Sequence, residues 1–273
     1  MQNRRPGVEA KMVTKPDHGE ESYQGHGRLK NRVALITGGD SGIGRAVAIA
    51  FAREGADVAF GYVPEEQQDA DTTAGWVRRA VRKALALPGD VRPEDVCRST
   101  VDRVQKELGR LDILVNNAAF QDTHDDIDQW SSEEWDHTFR TNIYSMFYLA
   151  KAAVPLMQPG GTIINTASVQ AYLPSGMLLA YAATKGAIVT FTKALAELAI
   201  EKGIRVNAVA PGPVWTPLIP STMPKEKVEQ FGKSSMIGRP AQPAELAPAY
   251  VFLASNDSSF VTGSVVDMTG GEM

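Results

Sequence analysis

The chain has 273 residues, 43% of them hydrophobic, and a net charge of −4. That length supports one sizeable core, with two small domains as the alternative. An acidic balance without a basic face speaks against nucleic acid as a partner. The single cysteine, Cys97, excludes an intrachain disulfide and points to a reducing, cytoplasmic setting.

Residues 1–31 are polar and rich in Gly, Pro and charge. They read as an arm ahead of a body over 32–273. No apolar stretch in the arm is long enough for a signal peptide or a membrane span. Most such arms are disordered and a minority pack on a neighbouring subunit, for which Tyr23 and Leu29 are candidates.

Along the body, apolar strands alternate with helical patterns. Val33 to Ile36 is a strand that ends in the glycine-rich stretch Thr37 to Gly44, and a helix runs from Arg45 to Arg53. A strand over Asp57 to Tyr62 precedes a helix over Thr73 to Lys83 and a strand over Ala84 to Leu87. A helix over Glu94 to Leu108 leads to the strand Ile113 to Val115. Ser131 to Met157 reads as one long helix, with Ser131 and Glu134 fitting a capping box. The strand Thr162 to Asn165, the helix Ala182 to Glu201 and the strand Arg205 to Val209 follow. A helix over Glu245 to Ala254 and a strand over Ser264 to Asp267 close the chain. Strands that are apolar throughout, separated by helices, imply a single α/β domain with a doubly wound parallel sheet covered on both faces, the Rossmann arrangement.

In such sheets ligands sit outside the carboxyl ends of the strands. Small and polar residues gather at six of those ends, Thr37-Gly38-Gly39, Gly61-Tyr62, Gly89-Asp90-Val91, Asn116-Asn117-Ala118-Ala119, Thr166-Ala167-Ser168 and Ala210-Pro211-Gly212. The glycines of Thr37-Gly38-x3-Gly42-x-Gly44 admit either a tight strand–helix turn or a pyrophosphate close to the backbone at a helix N-terminus, with Ser41 as a hydroxyl donor. Tyr181 and Lys185 are one helical turn apart and share a face. An ammonium there favours the phenolate, turning a phenol of ordinary pKa near ~10 toward acid–base work. Ser168 adds a second hydrogen bond for a substrate oxygen.

With these motifs in one order and register, the chain resembles the short-chain dehydrogenase/reductases over residues 32–273, and within them the general-stress-type and glucose/ribitol-dehydrogenase-like bacterial oxidoreductases. The resemblance implies an NAD(P)-dependent oxidoreductase that moves a hydride between nicotinamide and a carbonyl or alcohol carbon of a small aldehyde, ketone or polyol. It implies Tyr181 as general acid–base, Lys185 on the nicotinamide ribose, Ser168 on the substrate oxygen, and Asn142 holding a water that links Lys185 to solvent. Gly38, Ser41, Gly42, Ile43 and Gly44 would cradle the pyrophosphate, and Tyr62 would lie at the adenosine ribose. Asp90 and Val91 match adenine contacts, Asn117 and Ala118 lie along the cofactor, and Pro211, Gly212, Val214 and Thr216 surround the nicotinamide amide. The resemblance also implies a homotetramer, with Phe147, Tyr148 and Phe191 as candidate contacts. A nucleotide-binding scaffold without chemistry is the rival, and the presence of all four catalytic positions argues against it.

Two departures from the family pattern stand out. Ala119 replaces a glycine, and the acid expected at the end of the second strand is replaced by Tyr62. No Arg or Lys follows Tyr62 to pair with a 2′-phosphate; Asp40, Glu65 and Glu66 favour NAD, whereas the missing acid favours NADP, and the choice stays open. Arg45, the near basic residue, reads as solvating the helix end. On the substrate side stand Gln170 to Leu179, with Gln170 as a polar contact and Tyr172 and Leu173 bordering the reacting carbon, and a lid over Val214 to Ser235 with Trp215 against the substrate. The run His124, Asp125, Asp126 and Asp128 reads as a solvated loop, and no metal is expected.

Overall fold

The computed structural model describes residues 7–272. Its strands are β1 (Val33–Thr37), β2 (Asp57–Tyr62), β3 (Ala84–Pro88), β4 (Ile113–Asn116), β5 (Thr162–Thr166), β6 (Arg205–Pro211) and β7 (Val265–Met268). They form one parallel sheet in the order β3-β2-β1-β4-β5-β6-β7. The order reverses between β1 and β4, which is where a doubly wound sheet opens a crevice.

Side chains of a strand alternate between faces, and β1 shows what each face meets. Ala34 and Ile36 join a cluster with Phe51, Phe60, Val77 and Tyr250, built with α1 (Gly42–Arg53), α2 (Gln67–Arg79) and α9 (Pro243–Ala254). Val33 and Leu35 join Val101, Leu149 and Ala196 on the other face, built with α3 (Glu94–Leu108), α5 (Ser145–Ala153) and α6 (Leu179–Ala199). Both faces of the sheet are therefore covered.

Three expectations need correction. The helix read as Thr73 to Lys83 is α2, which starts six residues earlier, at Gln67, and ends at Arg79. Its buried face includes Asp69 and Thr73; those polar side chains bind the backbone of neighbouring segments and hide the apolar period. The helix read as continuous from Ser131 to Met157 is α4 (Ser132–Phe139) and α5 joined by a π-turn over Arg140–Tyr144. Of its expected capping box only half forms: the Ser131 hydroxyl accepts from the Glu134 backbone at 3.1 Å, while the Glu134 carboxylate turns to His124.

The described part of the arm, residues 7–31, packs on this chain's own body. Leu29 is fully buried in the first cluster. Buried Glu54, at the end of α1, accepts hydrogen bonds from the Tyr23 hydroxyl, the His26 and Arg28 backbones and the Arg28 guanidinium. Glu9 reaches further, to the Gly42 backbone N–H at 3.0 Å and to Arg45. Arg45 is thus not a solvated helix-end residue: it is buried between Glu9, Asp69 and the Asp40 carbonyl.

Candidate active site

A groove of about 930 Å³ runs along the carboxyl ends of the strands. After β1 it is lined by Gly38, Ser41, Gly42 and Ile43, at the end of β2 by Tyr62, and after β3 by Asp90 and Val91. Asn117 and Ala118 follow β4, Ser168 and Gln170 follow β5, and Pro211 ends β6, with Gly212, Val214 and Thr216 after it. Tyr181 and Lys185 close it from α6.

The glycine turn has the shape a dinucleotide needs. Gly38 and Gly42 take positive φ, 61° and 50°, a backbone that side chains disfavour. Ser41 stands ahead of α1 without capping it through its side chain. Gly44 does not line the groove: a Cβ there would lie 1.9 Å from the Gly38 carbonyl oxygen, so it serves close helix–turn packing. The Asn117 amide donates to the Thr37 and Gly38 carbonyls at 3.1 Å, and the Thr37 hydroxyl accepts from the Asn117 and Ala118 backbones at 3.0 Å. The segment after β4 is thereby tied to the turn after β1. A bare-backbone cradle at a helix N-terminus, tied across the switch point, fits a pyrophosphate.

At the other end the Lys185 amine lies 5.1 Å from the centroid of the Tyr181 ring and donates to the Thr166 carbonyl at 2.7 Å. The two side chains face one another as their spacing requires. Their proton affinities differ from the sequence expectation. Burial pushes the Tyr181 phenol up to about 12, opposed only by a hydrogen bond with Ser168, and burial pulls the Lys185 ammonium down to about 7. In the free site desolvation outweighs the attraction between phenolate and ammonium.

Asn142 does not reach the groove. Its amide clasps the Phe120 backbone, accepting from N–H at 2.7 Å and donating to C=O at 2.9 Å, and also donates to the Thr184 hydroxyl at 3.0 Å. It sits in the π-turn, where the regular helix ladder is interrupted. Trp215 is also corrected: it is absent from the groove wall, and its indole N–H donates to the Thr14 carbonyl of the arm at 3.0 Å. Tyr172 and Leu173 point outward and are about half exposed. The lid carries two short helices, α7 (Leu218–Thr222) and α8 (Lys225–Gln230), and presents Leu218, Ile219, Met223 and Phe231 to the groove.

Several groups of this site escaped the sequence reading. Gln121 and Thr123 hold α7 through Thr222, at 2.7 and 2.8 Å. His137 stacks on Phe120 at 4.2 Å. Glu66 is buried against Asp40 at the adenosine end. Glu66, four residues past the end of a strand, did not escape: the sequence reading counts it with Asp40 and Glu65 as a charge that favours NAD. Among the described residues, Asp122, His124 and Glu134 bring ligand-type atoms within 4.8 Å of one another, with His124 Nε2 2.9 Å from a Glu134 oxygen.

A family model described as enoyl-(acyl carrier protein) reductase matches residues 38–272. General stress protein 39 of Bacillus subtilis is 50% identical over 270 residues, 99% of this chain and 94% of that protein. The glucose and ribitol dehydrogenase of Daucus carota is 47% identical over 275 residues, 99% of this chain and 94% of that protein. The chain belongs to the short-chain dehydrogenase/reductase family. A family structure from Burkholderia cenocepacia in complex with NADP superposes with a TM-score of 0.84 at 30% identity, covering 90% of this chain and 99% of that one. The 3-ketoacyl-(acyl-carrier-protein) reductase of Brucella melitensis complexed with NADH gives 0.81 at 33% identity, covering 89% and 99%. As a member, this protein is an NAD(P)-dependent oxidoreductase acting on CH–OH and C=O groups.

Proposed function

We propose that this reductase interconverts a small aldehyde or ketone and its alcohol, polyols included, with Tyr181 handling the proton. The convergence of Ser168, Tyr181 and Lys185 at one end of the groove carries the reading. Bound nicotinamide supplies or accepts the hydride. Ser168 and Tyr181 would both hydrogen-bond the substrate oxygen, and the phenol would give it a proton in reduction or take one in oxidation. A phenol raised to about 12 by burial is a proton donor in the free site. Lys185 is held at its place by the Thr166 carbonyl, where it can bind a ribose and, when charged, ease departure of the proton from Tyr181.

Asn142 would act through position: by clasping Phe120 and Thr184 it fixes the loop after β4 against α6. The apolar lid residues Leu218, Ile219, Met223 and Phe231 would exclude water from the reacting carbon. A homotetramer fits the half-exposed Phe147 on α5, whereas Tyr148 and Phe191 pack on this chain's own core. Buried Cys97 is a free thiol, consistent with a reducing cytoplasm.

The test is a screen of aldehydes, ketones and polyols with each nicotinamide cofactor, followed by its absorbance, on wild type and Tyr181→Phe. Turnover should fall about 10²–10⁴-fold in the variant with cofactor binding retained. Undiminished turnover in Tyr181→Phe would remove the assignment.

A further inference from the structure

The glycine turn is gripped by a group that none of the strand ends supplies. From the arm, the Glu9 carboxylate accepts the Gly42 backbone N–H at 3.0 Å through Oε2 and pairs through Oε1 with Arg45 in the first turn of α1. Glu9 is 2% exposed. Its own place is set from three sides. Its backbone N–H donates to Asp69 of α2 at 2.8 Å, its carbonyl accepts the Lys15 amine at 2.6 Å, and His18 Nε2 lies 2.9 Å from Oε2. Gly42 opens α1 and takes a φ of 50°. The first N–H groups of a helix are the ones it offers to a phosphate. A carboxylate locked on the first of them fixes the direction in which the next ones point.

The same stretch of arm meets the lid. Gly7 lines the groove, and a Cβ added there would lie 2.9 Å from the Ser221 side chain of α7 and closer still to the Pro217 carbonyl oxygen. The Thr14 carbonyl accepts the Trp215 indole N–H at 3.0 Å. Gly42 for its part packs on Thr216, where a Cβ would lie 3.1 Å from Cγ2. The glycine turn and the root of the lid are therefore neighbours, and the arm touches both.

We propose that the arm from Gly7 to Thr14 is a working wall of the cofactor groove, with Glu9 as a positioning residue: Glu9 holds the N-terminus of α1 in place for the pyrophosphate while Gly7 and Thr14 hold the root of the lid, so that arm docking and nucleotide binding strengthen one another. The proposal goes beyond the proton-transfer reading and is independent of Tyr181 and of the substrate; it needs only a nicotinamide dinucleotide in the groove. An undocked arm leaves Gly42 without its acceptor and the lid root without Gly7 and Thr14. A nucleotide that binds the docked form better must, by the same free energy, hold the arm down. The arm has a second anchor far from the groove. Arg53 donates to the Gly19 carbonyl at 2.9 Å and to the Tyr23 and Glu20 carbonyls. It closes α1 at the end opposite Gly42, about 16 Å along the axis, where salt screens its charge from a bound phosphate. Loss of that anchor therefore reaches the cradle through the arm.

The experiment is amide hydrogen exchange at Glu9 and Ala10, which donate to Asp69, on wild type with and without saturating nucleotide. The nucleotide is whichever of NADH and NADPH binds tighter by nicotinamide fluorescence. Exchange at both amides should slow on saturation by on the order of tenfold. Dissociation constants are then measured for Arg53→Met and for Trp215→Phe, which lacks the donor to Thr14. Both variants should quicken exchange in the arm and weaken nucleotide binding by about fivefold or more. Wild-type arm exchange that is the same with and without nucleotide overturns the proposal and leaves the oxidoreductase reading standing. So does a dissociation constant within about twofold of wild type in a variant whose arm exchanges faster. Failure of both nucleotides to bind removes the groove's cofactor and the proposal with it. The wild-type exchange decides alone where a variant fails to fold.

Discussion

The Lys185 amine is 5.1 Å from the Tyr181 ring centroid, yet burial has pulled it down to about 7 while the phenol has risen to about 12. A lysine moved from its ordinary 10.5 to about 7 costs stability on the order of 5 kcal/mol at pH values below 7. The sign follows from proton counts: between about 7 and 10.5 the unfolded chain binds the proton that the folded chain lacks, so stability rises with pH across that window.

Lys185→Met should therefore melt higher than wild type at pH 6.5–7, roughly 2–4 °C for each kcal/mol regained. The lost bond to Thr166 offsets about 1–3 kcal/mol of the gain. The advantage should shrink toward pH 10, and turnover should be lost in the same variant. Thermal unfolding across that range checks it; a variant that melts lower at pH 7 would mean the ammonium is not a burden on the fold.

Two glycines in helices should answer alanine in opposite ways. At Gly44 an added Cβ would lie 1.9 Å from the Gly38 oxygen and 2.8 Å from the Asn117 amide nitrogen, so backbone must move and the cradle with it. Gly44→Ala should lower the melting temperature and weaken cofactor binding together. At Gly75 in α2 a Cβ meets nothing within 4 Å, and Gly75→Ala should stabilise by up to about 1 kcal/mol. Chemical denaturation of both variants gives the two signs directly.

The sheet and its groove were legible because each rests on local patterns: apolar strands, glycines at a turn, a one-turn spacing of Tyr181 and Lys185. What stayed hidden depends on partners distant in sequence. The 3.6-residue period of α2 is disguised because Asp69 and Thr73 occupy buried positions, where they bind the Glu9, Ala10 and Asp40 backbones. Trp215 reads as a substrate contact until the Thr14 carbonyl, some two hundred residues away, claims its indole. Asn142 was singled out, but its clasp on Phe120 needed the π-turn to be seen. Polar side chains at buried positions carry no period, so their partners had to come from the fold.

The arm itself should respond to pH through His18. Its Nε2 is 2.9 Å from a Glu9 oxygen and its Nδ1 3.0 Å from a Glu20 oxygen. Both nitrogens can donate only in the imidazolium. Burial opposes that charge, but Glu20 and Glu9 outweigh it and raise the pKa above the ordinary 6.5. His18 thus contributes stability that is complete below 6.5 and lost as pH climbs through the raised value. Glu20, lowered to about 2, contributes above its ordinary 4.5 and loses that contribution as pH falls toward 2. Arm docking should be firmest between those two ordinary values. Hydrogen exchange at the Glu9 and Ala10 amides, which donate to Asp69, should quicken as pH rises beyond the chemical trend seen at buried β-strand amides. His18→Gln should abolish that excess. An arm whose protection follows the strands at every pH would show that the His18 charge does not hold it, and that Leu29 and the Glu54 contacts suffice.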